Sequence, residues 1–269
     1  MSGFASDWLT LRETYDHAAR AESILSVLNT WATHHRQLAI VDLGSGTGSN
    51  LRAVSGQLKV PQAWTLIEHD PLLIEAGTAQ LATLPKDVEA TYREADLAGD
   101  LDKAIPARID LITAAAFLDL VSADWLDCLL AVAEARRAAL YMALTYDGGM
   151  RWRPGDIFDA TIKRAFHEHQ TTDKGFGPAL GPTAVSALRD RLQPLGGRLL
   201  VEPSDWQLRY EDQEMQKALL DGYMQTALEI APDQAGEIRS WALQRRQQID
   251  ADRSTLRVGH EDVLWLPDG

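Results

Sequence analysis

The most informative part of the sequence is a glycine-rich loop that follows an apolar run. The run Gln37–Asp42 predicts a buried strand, and it leads into Gly44-Ser45-Gly46-Thr47-Gly48. Three closely spaced glycines allow a sharp turn and let a ligand approach the backbone. A dinucleotide-binding fingerprint would require glycine where the chain has Ser49. Because the carboxylate of Asp42 suits an ammonium or sulfonium group and repels pyrophosphate, the loop predicts a ligand that is cationic here and lacks phosphate.

Acidic residues also stand at the ends of the next two predicted strands. Glu68 ends the second strand, where a carboxylate is placed to accept hydrogen bonds from ribose hydroxyls. Asp96 and Leu97 follow the third strand, and they would offer a carboxylate to an adenine amino group and an apolar contact to the ring. The predicted ligand therefore has a nucleoside end and an amino-acid-like end.

The segment Asp42-Leu43-Gly44-Ser45-Gly46-Thr47-Gly48, together with Glu68 and Asp96, resembles the class I S-adenosylmethionine-dependent methyltransferases over about residues 37–147. The resemblance implies that the glycine loop holds the methionine part of S-adenosyl-L-methionine, that Glu68 binds the ribose, and that Asp96 and Leu97 frame the adenine. Glu68 stands where an aspartate is commoner, and Asp70 follows two residues later. Which of these two acids reaches the ribose therefore stays open.

The N-terminal helix is a further candidate part of the cofactor site. By resemblance to small-molecule methyltransferases of this class, it would close over the cofactor and bring Tyr15 and Arg20 to it. Ordinary packing of an amphipathic helix is the alternative. The candidate cofactor-binding residues are Asp42, Gly44, Ser45, Gly46, Gly48, Glu68, His69, Asp96, Leu97, Tyr15 and Arg20.

Three residues are candidates for catalysis. In methyl transfer the enzyme mainly aligns the acceptor, and it needs a general base where the acceptor carries a proton of high pKa. Ligands of parallel sheets bind outside the carboxyl ends of the strands, which favours Asp119 and Tyr146. His169 lies on the apolar face of the predicted helix Asp156–Gln170. The alternatives are a core histidine for His169 and a helix cap or a solvent-facing side chain for Asp119.

Aromatic and polar side chains near these positions are candidates for substrate binding. They are Phe117, Trp152, Phe166, Asp173 and Lys174. The ammonium of Lys174 would reach a carboxylate or phosphate, with a solvated loop lysine as the alternative. The run His167-Glu168-His169 does not predict a metal site, because residues two apart on a helix do not share a face. We therefore predict no metal.

The elements that must position these residues alternate between strands and helices. Apolar runs predict strands at Gln37–Asp42, Ala63–Glu68, Ala90–Glu94, Arg108–Ala114 and Ala139–Thr145. We predict an α/β fold with a three-layer Rossmann-like methyltransferase sheet, mostly parallel with the last strand antiparallel, a helical lid and a helical C-terminal insertion. The predicted organisation is one methyltransferase domain over residues 1–269. It comprises a helical cap (1–35), a cofactor-binding core (37–147), a lid insertion (148–181) and a C-terminal part (182–269) with a helical insertion (212–250).

The charge balance limits the classes of partner. The 269 residues include 26 basic and 39 acidic side chains, a net charge of −13, which disfavours nucleic acid. Residues 151–200 reverse this balance with eight basic and five acidic side chains, which suggests an anionic acceptor as a hypothesis. The one cysteine, Cys128, allows no disulfide within the chain. The sequence shows neither a secretion signal nor a membrane-spanning run, so we expect a cytoplasmic protein without a membrane partner.

The predicted function is S-adenosylmethionine-dependent methyl transfer to an oxygen or nitrogen atom of a small molecule, with an anionic acceptor as a hypothesis. The segment after the fourth strand lacks the Asn/Asp-Pro-Pro-Tyr/Phe tetrapeptide of enzymes that methylate amino groups of DNA and protein glutamine. A methyltransferase acting on protein or structured RNA, and a non-catalytic S-adenosylmethionine-binding protein, are the alternatives. The apolar stripe Met215–Ile230 predicts a packing face or a dimer surface, which leaves an oligomer open.

Overall fold

The computed structural model describes residues 6–99 and 101–268. In these ranges the chain forms ten α-helices and eight β-strands. The helices are α1 (Ser6–Ala19), α2 (Glu22–Ala32), α3 (Ser49–Ser55), α4 (Pro71–Gln80), α5 (Leu101–Ala104), α6 (Ala123–Arg136), α7 (Asp159–Gln170), α8 (Ala184–Leu192), α9 (Gln213–Ile230) and α10 (Ala235–Asp250). The strands are β1 (Leu38–Leu43), β2 (Gln62–Glu68), β3 (Val88–Glu94), β4 (Leu111–Ala115), β5 (Ala139–Arg153), β6 (Arg198–Pro203), β7 (Trp206–Leu208) and β8 (Thr255–Leu266).

The strands form one mixed sheet in the order β3-β2-β1-β4-β5-β8-β6. Strands β1 to β5 pair in parallel, whereas β8 runs antiparallel to both β5 and β6. This topology confirms the predicted Rossmann-like sheet with an antiparallel last strand. The carboxyl ends of β1, β2 and β4 meet at one edge, since Asp42 lies opposite both Leu66 and Thr113. That edge is where ligands of such sheets bind.

Two separate apolar cores cover the faces of the sheet and make it the middle of three layers. On one face, Val41, Ile112 and Leu140 pack with the helical residues Leu126 and Leu188. The opposite core is formed by inward residues of the same strands and by apolar residues of α2 and α3, including Ile24, Leu28, Ile40, Leu51, Leu66 and Tyr141. Strands buried on both faces explain why the sequence shows apolar runs rather than strict alternation.

Strand β5 is longer than the sequence predicts. It continues to Arg153 instead of ending near Thr145, so residues 148–153 of the predicted lid are strand. The pairing with β8 shifts register between Tyr146 and Met150, which is an irregularity of the β-bulge type. A Cβ on Gly149 would lie 2.9 Å from the Cα of Gly259. Because neither glycine has a side chain, the backbones of β5 and β8 can approach each other closely at Gly149 and Gly259, and both strands continue past this point.

A third apolar core lies beneath the helical insertion. The extended part of β5, the start of β8 and strand β7 pack with α7, α9 and α10 through residues that include Trp152, Met215, Leu220, Trp241 and Leu256. Helices α9 and α10 fall within the predicted insertion at 212–250. None of the helices in the described ranges is long and apolar enough to cross a membrane.

Candidate active site

The loop after β1 owes its shape to three glycines with left-handed backbone conformations. Their φ angles are +61° at Gly44, +54° at Gly46 and +83° at Gly48. A Cβ on Gly44 would lie 2.7 Å from the ring of Phe117, so a side chain is excluded there by both backbone conformation and space. Gly48 precedes α3 as its N-cap residue. The loop therefore brings bare backbone to the edge of the sheet.

Tyr92 supports this loop, and the sequence reading missed it. Its hydroxyl donates a hydrogen bond of 3.1 Å to the carbonyl of Gly46. Gly77 in α4 makes room for the ring, because a Cβ there would lie 1.9 Å from the same hydroxyl. Because glycine is unfavourable inside a helix, Gly77 could have indicated from the sequence that another side chain packs closely against α4.

Asp42 is a buried carboxylate at the end of β1. Its Oδ1 accepts a hydrogen bond of 2.7 Å from Asn50, which also donates to Thr113. The other oxygen, Oδ2, has no hydrogen-bond partner among the described residues. Burial raises the pKa of Asp42 to about 7, while the Asn50 hydrogen bond and the charge of Arg20 oppose the rise. The site thus has a carboxylate oxygen that can still accept a cationic donor.

Arg20 is buried close to this carboxylate without touching the glycine loop. Its guanidinium donates a long hydrogen bond of 3.4 Å to the hydroxyl of Tyr141, which in turn donates to Asp262 at 3.0 Å. Its positive charge lowers the pKa of Asp42. Arg20 thus acts electrostatically on Asp42, and its predicted contact with the cofactor stays a prediction.

Glu68 joins the glycine loop to the end of β2. Its Oε2 accepts from the backbone N–H of Gly46 at 2.9 Å, and its Oε1 accepts from the N–H groups of His69 and Asp70 at 2.8 and 3.0 Å. Asp70 instead is the N-cap residue of α4, and its side chain accepts a hydrogen bond of 2.9 Å from the N–H of Leu72. The side chain of His69 is 71% exposed and adjoins Glu68. Of the two acids, only Glu68 faces the loop.

The end of β3 supplies one exposed and one buried side chain, as the adenine prediction requires. Asp96 is exposed and accepts from the N–H of Ala98 at 2.8 Å. Leu97 is buried, and its carbonyl accepts from the indole N–H of Trp125 at 2.7 Å. The adenine-binding roles of Asp96 and Leu97 stay predictions.

Three aromatic rings form a wall beside the loop. Phe117 lies 5.6 Å from Trp125 and 5.4 Å from Phe176, and the latter two are 5.8 Å apart, all edge to face. Phe176 comes from the segment after α7, within the predicted lid. Only Phe117 was predicted, because no local pattern indicates that positions 117, 125 and 176 meet.

Helix α1 covers the glycine loop with a face that differs from the predicted one. A Cβ on Gly46 would lie 3.2 Å from Leu9, and Glu13 forms an ion pair with Arg52 of α3 at 2.6 Å. Tyr15 points elsewhere, and its hydroxyl donates to Asp212 at 3.0 Å. Leu9 and Glu13 share a helix face because they are four residues apart, whereas Tyr15 lies on another side. The predicted cap over the loop is present, but Tyr15 contacts the C-terminal insertion.

Tyr146 of β5 is paired with a histidine that sequence reasoning did not select. Its hydroxyl lies 3.0 Å from Nε2 of His167, which is also 3.2 Å from the carbonyl of Gly148. Burial raises the pKa of the Tyr146 hydroxyl. Burial and the charge of Lys163 lower the pKa of His167, so the imidazole is neutral at pH 7. A neutral imidazole beside a hydroxyl is an arrangement that can accept a proton.

Asp119 lies in a turn directly after β4, near Tyr146. It is buried, and its Oδ1 has no hydrogen-bond partner among the described residues. Burial raises the pKa of Asp119 to about 6, although backbone N–H groups, including that of Tyr146, and the charge of Arg12 oppose the rise. Asp119 therefore offers one free acceptor oxygen near Tyr146.

Further rings surround Tyr146, and we call this group the Tyr146 cluster. Its members are Asp119, Tyr146, Phe166, His167, Tyr223 and His260. Phe166 lies 5.6 Å from Tyr146 and 4.9 Å from Tyr223. Burial lowers the pKa of His260 to about 3, so this imidazole is neutral. The cluster combines apolar ring edges with one carboxylate and one basic imidazole.

Comparison with known proteins shows where this architecture occurs. No protein-family model and no curated protein sequence matches the chain. A candidate type II methyltransferase from Anaeromyxobacter dehalogenans superposes with a TM-score of 0.50 at 18% identity, covering 90% of this chain and 97% of that one. The chain has the class I S-adenosylmethionine-dependent methyltransferase fold.

Two other solved structures are also similar. A SAM-dependent methyltransferase from Thiobacillus denitrificans in complex with S-adenosyl-L-homocysteine gives a TM-score of 0.45 at 14% identity, covering 98% of this chain and 100% of that one. A cyclopropane synthase from Mycobacterium tuberculosis gives 0.46 at 11% identity, covering 89% of this chain and 83% of that one.

The residues of the methyltransferase fold that contact the glycine loop suit S-adenosylmethionine. Asp42 has a buried oxygen without a partner, which an ammonium group can satisfy. Gly44 and Gly46 shape the loop, here called the glycine cradle, where a side chain has no room because a Cβ would meet Phe117 at one position and Leu9 at the other. Glu68 adds a second carboxylate beside the loop. The carboxylates beside this loop repel phosphate, and they attract the positively charged groups of S-adenosylmethionine.

Several predicted site residues lie away from the loop and from the Tyr146 cluster. His169 faces α9, with Nε2 3.8 Å from Glu229 and Nδ1 3.3 Å from Lys174. The prediction of His169 rested on the apolar face of α7. Phe166 on that face reaches Tyr146, whereas His169 at its end lies beside α9. Asp173 accepts from the N–H of Gly175 at 2.7 Å and shapes its own turn.

Trp152 is also a core residue rather than part of an acceptor site. Its ring packs 6.3 Å from Trp241, and the guanidinium of Arg245 lies 5.4 Å from its centroid. It is 2% exposed. Alternation along β5 turns Trp152 toward the helical insertion. In the described ranges no three His, Cys, Asp or Glu side chains are arranged to hold a metal ion.

Proposed function

We propose that this chain is an S-adenosylmethionine-dependent methyltransferase that acts on an oxygen or nitrogen atom of a small molecule. The observation that carries the proposal is Asp42, a buried carboxylate with a free oxygen beside the glycine cradle. Bound S-adenosylmethionine would supply a methyl group on a sulfonium, whose leaving group is a neutral thioether. The chain's own part is to hold this cofactor, align the acceptor and accept its proton.

On the cofactor side, each residue has a role that its surroundings support. Asp42 would accept the ammonium of the methionine part. Glu68 would accept ribose hydroxyls through its two oxygens, of which Oε2 binds the N–H of Gly46 and Oε1 binds those of His69 and Asp70. Leu97 and Phe117 would flank the adenine, and Asp96 would accept from its amino group. Gly46 would keep the backbone turned toward the cofactor at a positive φ, with Leu9 packed where a side chain would stand.

On the acceptor side, the Tyr146 cluster offers a route for a proton. With neutral His167 protonated at Nδ1, the Tyr146 oxygen would accept a proton from the acceptor while its own hydroxyl proton moves to Nε2 of His167, 3.0 Å away. The new Nε2–H would then be able to donate to the carbonyl of Gly148, 3.2 Å away. The proton ends on His167, which burial keeps neutral before the reaction. The free Oδ1 of Asp119 would bind an N–H or O–H of the acceptor and orient its lone pair.

The hypothesis of an anionic acceptor loses part of its support. Arg151 and Arg153 are exposed on β5, on the opposite side from buried Trp152. Lys174 donates to Thr172 at 2.9 Å, next to His169 and away from Tyr146. Arg12 is the cation whose charge acts on Asp119, and Asp16 holds it at 2.9 Å. An acceptor anion would therefore be bound by Arg12 and not by the basic segment 151–200.

Methyl-labelled S-adenosylmethionine tests this proposal with fractionated acceptors. The protein is incubated separately with small metabolites, with protein and with RNA, and label is counted in each fraction. We expect label in the small-molecule fraction, and its loss in His167→Gln despite retained cofactor binding. Label only in protein or RNA would favour the macromolecular alternative. Cofactor binding without label in any fraction would favour a non-catalytic binding protein.

A further inference from the structure

The outer face of the extended sheet carries a concentration of arginines that the proposed function does not use. The second half of β5, the start of β8 and strand β7 pack one face on the helical insertion through Trp152, Leu256 and Leu208. Side chains alternate along strands, so the neighbours of these residues point the other way. Arg151 and Arg153 on β5 are accordingly exposed.

The strand register places basic side chains next to one another on this face. Arg151 lies directly opposite Arg257, and Arg257 lies opposite Gln207 on the far side. Two residues further along β5, Arg153 lies opposite Thr255, so the exposed side chains form two adjacent rows across the strands. Arg209 follows β7 by one residue and continues the same exposed row. Because neighbouring strands are about 4.8 Å apart, the two rows form a compact patch roughly 10 Å wide.

Little within the described chain neutralises this patch. Arg257 is held by Asp205 through contacts of 2.7 and 2.6 Å. No hydrogen bond or ion pair joins the side chains of Arg151, Arg153 and Arg209 to another described residue. Like charges placed directly across strands are destabilising, and this face has no packing role that would require them. The arrangement indicates an anionic occupant.

We propose that this face, the arginine face, binds a small molecule that carries phosphate groups. A groove of about 300 Å³ lies on it. Its lining comprises four arginines, two neutral polar residues and two leucines, namely Arg151, Arg153, Arg209, Arg257, Gln207, Thr255, Leu208 and Leu256. Planar guanidinium groups bind phosphate oxygens in pairs, and Gln207 and Thr255 add neutral donors. The volume is at the lower end of the range for small-molecule sites.

The overall charge of the chain favours a small ligand over an extended polyanion. The net charge is −13, so a nucleic acid that runs beyond the patch would meet a repulsive surface. A molecule with one or two phosphate groups would stay within the two rows of arginines. The proposal is independent of the methyl-transfer site, because none of its residues belongs to the glycine loop or to the Tyr146 cluster.

Calorimetric titration with inorganic pyrophosphate at low ionic strength tests the arginine face. The triple variant Arg151→Gln/Arg153→Gln/Arg209→Gln should lose about tenfold or more in pyrophosphate affinity. The matched control Arg36→Gln/Arg198→Gln/Arg239→Gln removes three exposed arginines from other surfaces, and it should change the affinity by less than about twofold. Thermal unfolding of both variants verifies that they remain folded.

Parallel titrations identify the source of the phosphate and separate this proposal from the previous one. A nucleoside triphosphate that binds more tightly than pyrophosphate, with the same arginine dependence, would assign a nucleotide. Absence of pyrophosphate binding, or an equal loss in the control variant, would overturn the proposal. So would tighter binding of single-stranded RNA or of anionic phospholipid vesicles. Affinity for S-adenosylhomocysteine should be the same in both triple variants, whichever way the proposed function is decided.

Discussion

The hydroxyl of Tyr146 lies 3.0 Å from Nε2 of His167, and this pair joins strand β5 to helix α7. It puts a basic imidazole at the sheet edge, whereas His169 of the same helix faces α9. The two histidines therefore form a matched pair for mutagenesis, with the same residue type on the same helix.

His167→Gln should lower kcat by about 100-fold while leaving the affinity for S-adenosylhomocysteine unchanged, because glutamine keeps a hydrogen bond but accepts no proton. His169→Gln should alter kcat by less than about twofold. The measurement is the initial rate of methyl transfer to the acceptor found by labelling. A larger loss in the His169 variant would return the catalytic role to the residue that the sequence suggested.

Glu68→Gln should weaken binding of S-adenosylhomocysteine by about 1–3 kcal/mol, since it removes a charged acceptor from the ribose. Asp70→Ala is the control. It should lower the free energy of unfolding by about 1 kcal/mol through loss of the α4 cap, with no change in affinity. Calorimetry and thermal unfolding measure the two effects. If Asp70→Ala weakened binding and Glu68→Gln did not, the ribose role would belong to Asp70.

Binding of an ammonium-bearing ligand should depend on pH through Asp42. Burial raises the pKa of this carboxyl to about 7, and the ligand requires its ionised form. Affinity for S-adenosylhomocysteine should therefore rise up to pH 7 and fall about tenfold for each pH unit well below it. In Asp42→Asn the affinity should be weaker, and this pH dependence should disappear. A wild-type affinity that is flat between pH 5.5 and 7.5 would contradict the assignment.

The same carboxyl should destabilise the ligand-free protein at neutral pH. The pKa of Asp42 is higher in the folded state than in the unfolded state. Its carboxyl group therefore leaves the free energy of unfolding unchanged below about pH 4 and lowers it as the pH rises to about 7. Asp42→Asn should thus raise the free energy of unfolding at pH 8 by on the order of 2–4 kcal/mol. Denaturant titrations at pH 5 and pH 8 measure the difference. Equal stability of variant and wild type at both pH values would show that Asp42 is not a strained ionised group.

Gly44→Ala should destabilise the protein by about 1–3 kcal/mol and weaken cofactor binding, because the new Cβ meets Phe117 at a positive φ. Gly56→Ala is the control, since its Cβ would meet nothing within 4 Å and its φ is −70°. The control should be neutral or slightly stabilising. Comparable effects at both positions, in thermal unfolding and in calorimetry, would mean that the loop geometry does not matter.

The sheet was predictable because its strands are apolar runs bounded by turn signals. Asp42 and Glu68 were identifiable for the same reason, as single charges at the ends of such runs. The extension of β5 was not, because Gly148 and Gly149 predict a turn. Only the bulged pairing with β8, where Gly149 approaches Gly259 of a distant strand, makes the region continuous.

The acceptor side of the site was less predictable because it depends on contacts between distant segments. The helical period correctly gave α7 an apolar face, but it could not say which element that face meets. His169 was selected on that basis, although His167 is the neighbour of Tyr146. Trp125 and Phe176 were missed because only the tertiary fold brings them to Phe117.

Calorimetric titration of the wild-type protein with S-adenosylhomocysteine tests the central claim most directly. The account predicts one binding site with a dissociation constant below about 1 mM, and loss of measurable binding in the double variant Asp42→Asn/Glu68→Gln. No binding to the folded wild-type protein at millimolar ligand, or undiminished binding by the double variant, would contradict it.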